Sequence, residues 1–217
     1  MSVEWPETRE PTSHETIEGE HVTRVAAAHG FRSIAPLWDH NENATLRAAR
    51  HTPHVLAPGD RVYVPTVKHR EVERPTEQRH RFRATLAPLH LRVARLHYDG
   101  TPITEAPSAV TRDGAVATFT TQQGVVNIPI DATNTRCVLT TGTNAIVAMI
   151  GFLQPVSTVP GFRERLNNLG YRAGKAINAR DLDLRSAVEE FQCDHGLAVD
   201  GTCGDATQRQ LVHVHGC

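Results

Sequence analysis

The period of the apolar positions changes along the chain, and each change marks a different kind of local structure. Residues 1–15 have no sustained period; Pro6, Pro11 and the polar side chains between them predict a mobile arm. Thr16-Ile17-Glu18-Gly19-Glu20 reads as a short strand and turn, after which Val22, Val25, Ala26 and Ala28 recur at helical spacing until Gly30 supplies a stop. Ile34, Leu37, Trp38, Leu46 and Ala49 predict a second helical stretch. Val55-Leu56-Ala57-Pro58-Gly59-Asp60 then turns into the strand Arg61-Val62-Tyr63-Val64-Pro65, so residues 16–67 predict the order β, α, α, β.

Residues 68–81 carry Arg70, Arg74, Arg79 and Arg81 among Glu71, Glu73 and Glu77 without an apolar stripe, the pattern of a solvated linker. Over residues 82–153 the period drops to two. Leu89-His90-Leu91-Arg92-Val93-Ala94-Arg95-Leu96 alternates apolar with polar, Tyr98-Asp99-Gly100-Thr101-Pro102 is a turn, and strand-like runs follow at residues 116–121, 125–130, 137–140 and 145–150. Short strands separated by regular turn signals predict a β-sandwich. Helical spacing returns in residues 156–217. Val159, Phe162, Leu166 and Leu169 share one face, and Gly170 ends that helix. Asp181 or Asp183 starts a second helix with Leu184, Ala187, Val188 and Phe191 inward, Gly196 closes it, and Asp205 caps a third. The whole is a multidomain α+β chain.

A chain of 217 residues has room for three small units, and 23 basic against 24 acidic side chains leave a formal charge of −1. No overall field attracts nucleic acid or an anionic surface, and no apolar run approaches the ~18 residues of a membrane span, so neither nucleic-acid binding nor membrane insertion is expected. The sequence Met1-Ser2-Val3-Glu4-Trp5-Pro6-Glu7 lacks the basic and apolar parts of a secretory signal, which predicts cytoplasmic synthesis of a soluble protein.

Two segments carry family resemblances. Val55, Leu56, Pro58, Gly59, Asp60, Val62, Val64 and Pro65, with Gly19-Glu20-His21-Val22 upstream, resemble the LysM βααβ domain, and Asp39-His40-Asn41-Glu42-Asn43 stands where that family places a loop bordering N-acetylglucosamine chains. Phe191-Gln192, His195-Gly196-Leu197, Val199-Asp200-Gly201 and Asp205-Ala206-Thr207, with Leu169-Gly170-Tyr171 before them, resemble the three-helix peptidoglycan-binding domain. The usual first Val-Asp-Gly loop of that family is replaced by residues 173–180. The central segment is similar to the immunoglobulin-like or carboxypeptidase-regulatory-like modules that space other domains. The resemblances imply peptidoglycan as a partner and Tyr171, Gln192, Asp200, Asp39 and Asn41 as ligand contacts. Phe191, Leu197 and Leu211 fit a three-helix core, and Gln192 and Asp200 also fit hydrogen bonds that close a helix end or turn.

Cys193, His195, Cys203, His213, His215 and Cys217 crowd the last quarter, but no C-x-x-C pair gives a zinc pattern, so no metal site is expected. Cys193 and Cys203 flank the loop between the second and third predicted helices and form a candidate disulfide if the chain meets an oxidising space; Cys137 reads as a buried thiol. No G-x-S-x-G, H-E-x-x-H, Walker-type loop or glycosidase-like carboxylate pair is present, and neither an enzyme nor a cofactor is expected. Two functions follow. One is a non-catalytic wall-binding adaptor whose two ends act by avidity. The other is a structural component of a contractile injection apparatus, of the type VI secretion or phage-tail kind, in contact with spike or baseplate proteins. The module order resembles proteins found beside spikes, and such a device would carry a protein without a signal peptide to the wall.

Overall fold

The computed structural model describes residues 10–67, 73–81, 89–97, 99–110, 116–175 and 181–217. The expected arm over residues 1–9, the linker over 68–72, the start of the central segment at 82–88, Tyr98 and the replacement loop at 176–180 lie outside the described residues. Three separate apolar cores organise the rest.

In the first unit, β1 (Thr12–Glu15) pairs antiparallel with β2 (Arg61–Val64), Thr12 opposite Val64 and Glu15 opposite Arg61. The arm is therefore shorter than expected, and the strand precedes rather than follows Thr16. The reason is long-range: Thr16 donates its backbone N–H to Asp60 O at 2.8 Å and its hydroxyl to Ala57 O at 2.6 Å, fixing the residues before it against β2. Between the strands lie α1 (Val22–Ala28), α2 (Ala35–Trp38), a 3-10 turn (Asn41–Asn43) and α3 (Ala44–Arg50), so the second predicted helical stretch is broken in two. Asn43 makes the break. Buried to 1 % exposure, it donates Nδ2 to Leu37 O and Tyr63 O and accepts Tyr63 N–H on Oδ1, stitching the turn to β2. Val22, Val25, Leu37, Leu56 and Val62 fill the core beneath. Asp60 anchors the β2 turn by accepting from Ala57 N–H and, at 2.7 Å on each oxygen, from the Arg50 guanidinium.

The central unit packs two sheets on one core. Strands β3 (Leu89–Ala94) and β6 (Val125–Ile130) form one; β4 (Ser108–Val110), β5 (Val116–Thr118), β7 (Arg136–Thr141) and β8 (Asn144–Met149) form the other, in the order β5-β4-β7-β8. Ala109, Val126, Ile128, Cys137 and Leu139 point between them, and burial pushes the Cys137 thiol pKa up. The strand-like runs of the sequence become β3, β5, β6, β7 and β8, whereas nothing in Ser108-Ala109-Val110 marks β4.

The third unit has α4 (Val159–Asn168), α5 (Leu182–Asp194) and α6 (Asp205–His215) around Leu166, Ala187, Val188, Phe191 and Leu211. Thr158 caps α4, its oxygen accepting from Gly161 N–H at 3.1 Å, and Asp181 caps α5 by accepting from Leu184 N–H at 3.1 Å. Asp205 is not a cap: it is the first residue of α6, Gly204 holds the cap position without a side-chain bond, and the carboxylate acts on the helix dipole from the first turn. Val159 is 41 % exposed rather than core, because α4 buries Arg163 and Arg165 instead. Arg165 donates to Cys217 O, Gln154 O and Gly161 O at 2.7–2.8 Å, tying both ends of the unit to α4. Arg163 donates to Ala173 O and lies 2.5 Å from the Asp181 carboxylate.

The connector between the second and third units touches the first. A Cβ on Gly151, at φ +89°, would lie 2.3 Å from Gly19 O and 3.2 Å from His21 Cδ2, and the Phe152 ring sits over Gly19. Only a glycine permits that approach.

Candidate functional site

Residues near the Val199-Asp200-Gly201 turn are held by one buried amide. Gln192, on the last turn of α5 and 1 % exposed, donates Nε2 to Asp200 Oδ1 (2.8 Å), Thr202 O (3.0 Å) and Thr207 Oγ1 (3.1 Å). Its Oε1 accepts the backbone N–H groups of Asp200 and Gly201, each at 3.0 Å. The α5-α6 loop is thus folded around a side chain pointing inward, with both ends of the amide saturated. Asp200 is exposed, and the Gln192 amide, then Thr202 N–H, hold its carboxyl below the usual carboxylate range. Of this pair only Asp200 has an edge toward solvent; Gln192 shapes the loop that presents it.

Tyr171 closes the other side of α5. Its ring stands edge-on to Phe191 with centroids 5.5 Å apart, its hydroxyl donates to Asp194 Oδ2 at 3.0 Å, and burial together with that carboxylate pushes its pKa up to about 12. His195 packs on the opposite part of Phe191 at 4.4 Å. Tyr171, Asp194 and His195 form a half-exposed rim of rings and one carboxylate at the C-terminal end of α5, the mixture of apolar face and hydrogen-bonding edge that fits a sugar ring. Asp194 carried no sequence signal, and His195 stood out only in the His195-Gly196-Leu197 motif and among the crowded cysteines and histidines; their place beside Tyr171 becomes visible only when Tyr171 folds onto the helix end.

Asp39 and Asn41 lie in the first unit, apart from this rim. Both are exposed and neither makes a side-chain hydrogen bond with a described residue. His40 between them packs on Tyr63 at 4.7 Å and accepts from Glu42 N–H, so the loop is ordered while its two outer polar groups stay available.

Cys193 and Cys203, the candidate pair for a disulfide in an oxidising space, are not bonded to each other in this structure. All four cysteines are free thiols: Cys193 is exposed at the end of α5, and Cys203 is half-buried, its pKa pushed up to about 11 by burial against the opposing pull of Arg165. A thiol at that pKa is a poor partner for oxidation at neutral pH. Among the described residues no group of three or more His, Cys, Asp or Glu is placed to hold a metal ion, and no helix is long and apolar enough to cross a membrane.

Residues 158–211 match the family model described as "Putative peptidoglycan binding domain". This is the stretch from the Thr158 cap to Leu211 in the core of α6, so the third unit is a domain of the peptidoglycan-binding type; everything before residue 158 lies outside the match. Comparison with curated proteins and with solved structures returns no significant match.

Proposed function

We propose that this protein is a non-catalytic peptidoglycan-binding adaptor, with the third unit as its wall-contact head and the rim of Tyr171, Asp194 and His195 as the contact surface. The observation that carries the reading is the family match over residues 158–211. It coincides with a rim whose two rings pack on Phe191 and whose carboxylate accepts the Tyr171 hydroxyl. Asp200 extends the surface beside the loop that Gln192 shapes. Asp39 and Asn41 offer a second, weaker contact through the LysM-like unit, and the two heads add through avidity. The central sandwich is a spacer of the immunoglobulin-like kind. The order of the units supports attachment to spike or baseplate proteins of a contractile injection apparatus as the means of reaching the wall.

A second reading has one observation of its own: the most family-characteristic polar residue, Gln192, spends its amide entirely inside the domain. On that reading the helical unit keeps the fold for protein contacts and binds no glycan. Sedimentation with purified peptidoglycan separates the two. The full chain is expected to pellet, and Tyr171→Ala to shift it to the supernatant; a wild-type chain that stays in solution over the whole range of wall concentrations sinks the wall-binding reading.

A further inference from the structure

On the central unit the face of β3 and β6 turned away from the core carries Arg92 opposite Asn127, and the hairpin leading into β6 places Gln122 and Gln123 beside them. Together with Val125 these residues line an open groove of about 660 Å³. The four polar side chains make no hydrogen bond or ion pair with any described residue. An arginine fork and three primary amides thus converge on one concavity, with no acidic group among the described residues that line it.

The hairpin geometry adds an independent sign. Gln122 and Val125 exchange both backbone hydrogen bonds, at 3.0 and 2.9 Å, which leaves Gln123 and Gly124 as the two turn residues. Both have positive φ, +48° and +79°, as the two-residue hairpin turn of type I′ requires. Glycine is obligatory at 124, where a Cβ would lie 2.6 Å from Arg95 O. At 123 the turn favours Asn, Asp or Gly, and a long side chain in the left-handed region is strained. The fold holds Gln123 there against its preference, and the consequence is an amide at the mouth of the groove.

We infer that this groove is a binding subsite for a carboxylate-bearing glycopeptide, with Arg92 taking the carboxylate and Gln122, Gln123 and Asn127 holding the sugar hydroxyls and peptide amides. Planar guanidinium matches planar carboxylate through paired N–H bonds, and carboxamides both donate and accept, as a glycan chain with amide substituents demands. The identification of that ligand as a peptidoglycan fragment rests on the wall-binding reading; the groove itself does not.

The test uses the full chain labelled with ¹⁵N and titrated with soluble muropeptides carrying free carboxylates, then with the same muropeptides amidated. The side-chain amide resonances of Gln122, Gln123 and Asn127 are expected to shift with the free form. Arg92→Gln should weaken binding at those resonances roughly tenfold, as loss of one charge-assisted contact implies, while leaving responses within residues 158–211 unchanged. Gln123→Gly should also weaken binding yet leave the thermal midpoint unchanged or raised, because glycine relieves the turn. Responses confined to residues 158–211, or a groove response equal for the amidated form or for Arg92→Gln, overturn the inference and leave the wall-binding reading standing. A groove response without one in residues 158–211 supports the subsite and removes the helical unit as the head. No response anywhere overturns both.

Discussion

His21 makes the first unit acid-sensitive. It is 5 % exposed at the start of α1, beside Gly151 of the connector, and its pKa is lowered to about 4 from 6.5 by burial first, then by His54 and Arg24, with Glu20 pulling the other way. The unfolded chain therefore takes up a proton below pH 6.5 that the folded chain refuses until about pH 4. Stability is complete above pH 6.5 and falls as the pH drops through that window. At 1.36 kcal/mol per unit the full loss is about 3 kcal/mol, of which about 2 kcal/mol has gone by pH 5. In a Trp5→Phe background Trp38, packed on the first core, is the sole tryptophan and reports on this unit. Urea unfolding followed by its fluorescence should show the midpoint falling by about 1 M between pH 7 and pH 5. His54, also lowered by burial, acts in the same direction, so the readout is the difference between wild type and His21→Phe, which keeps a ring and removes the titration. His21→Phe should lose most of the acid sensitivity. An equal fall in variant and wild type refutes the reasoning.

Two substitutions test the third unit. Gln192→Leu preserves volume but strips the α5-α6 loop of its five internal hydrogen bonds, and should cost about 2–4 kcal/mol, seen as a lowered thermal midpoint by calorimetry. Gly161→Ala places a methyl 2.0 Å from Pro155 O, the carbonyl that also accepts the Thr158 hydroxyl at the α4 cap. It should cost about 3 kcal/mol or more and expose Phe162 and Leu166 to a hydrophobic dye, with the first unit's Trp38 signal unchanged.

Local chemistry was legible along the chain. The Asp181 cap, the stops at Gly170 and Gly196 and the alternating strands β3 and β6 depend on neighbours within a few residues, and the resemblance over the last third agrees with the family match. Long-range contacts were not. Nothing in Thr12-Ser13-His14-Glu15 announces a strand; it becomes one because β2 returns beside it after the helices have folded. An arginine at 165 looks like a surface charge until three carbonyls, one of them on Cys217, close around it and allow its burial.

The sequence by itself determined most helices and strands and the family resemblance of the last third, because period and turn chemistry are properties of short stretches. Tertiary structure decided which polar residues face inward. Gln192, which in sequence fits either a ligand contact or a hydrogen bond closing the helix end, anchors the loop, while Arg92, Gln123 and Asn127, unremarkable in sequence, converge on a groove only because β3 pairs with β6 and a tight turn holds Gln123 at positive φ. Whether a polar side chain serves the fold or a ligand depends on which groups the rest of the chain brings to it, and local spacing cannot encode that.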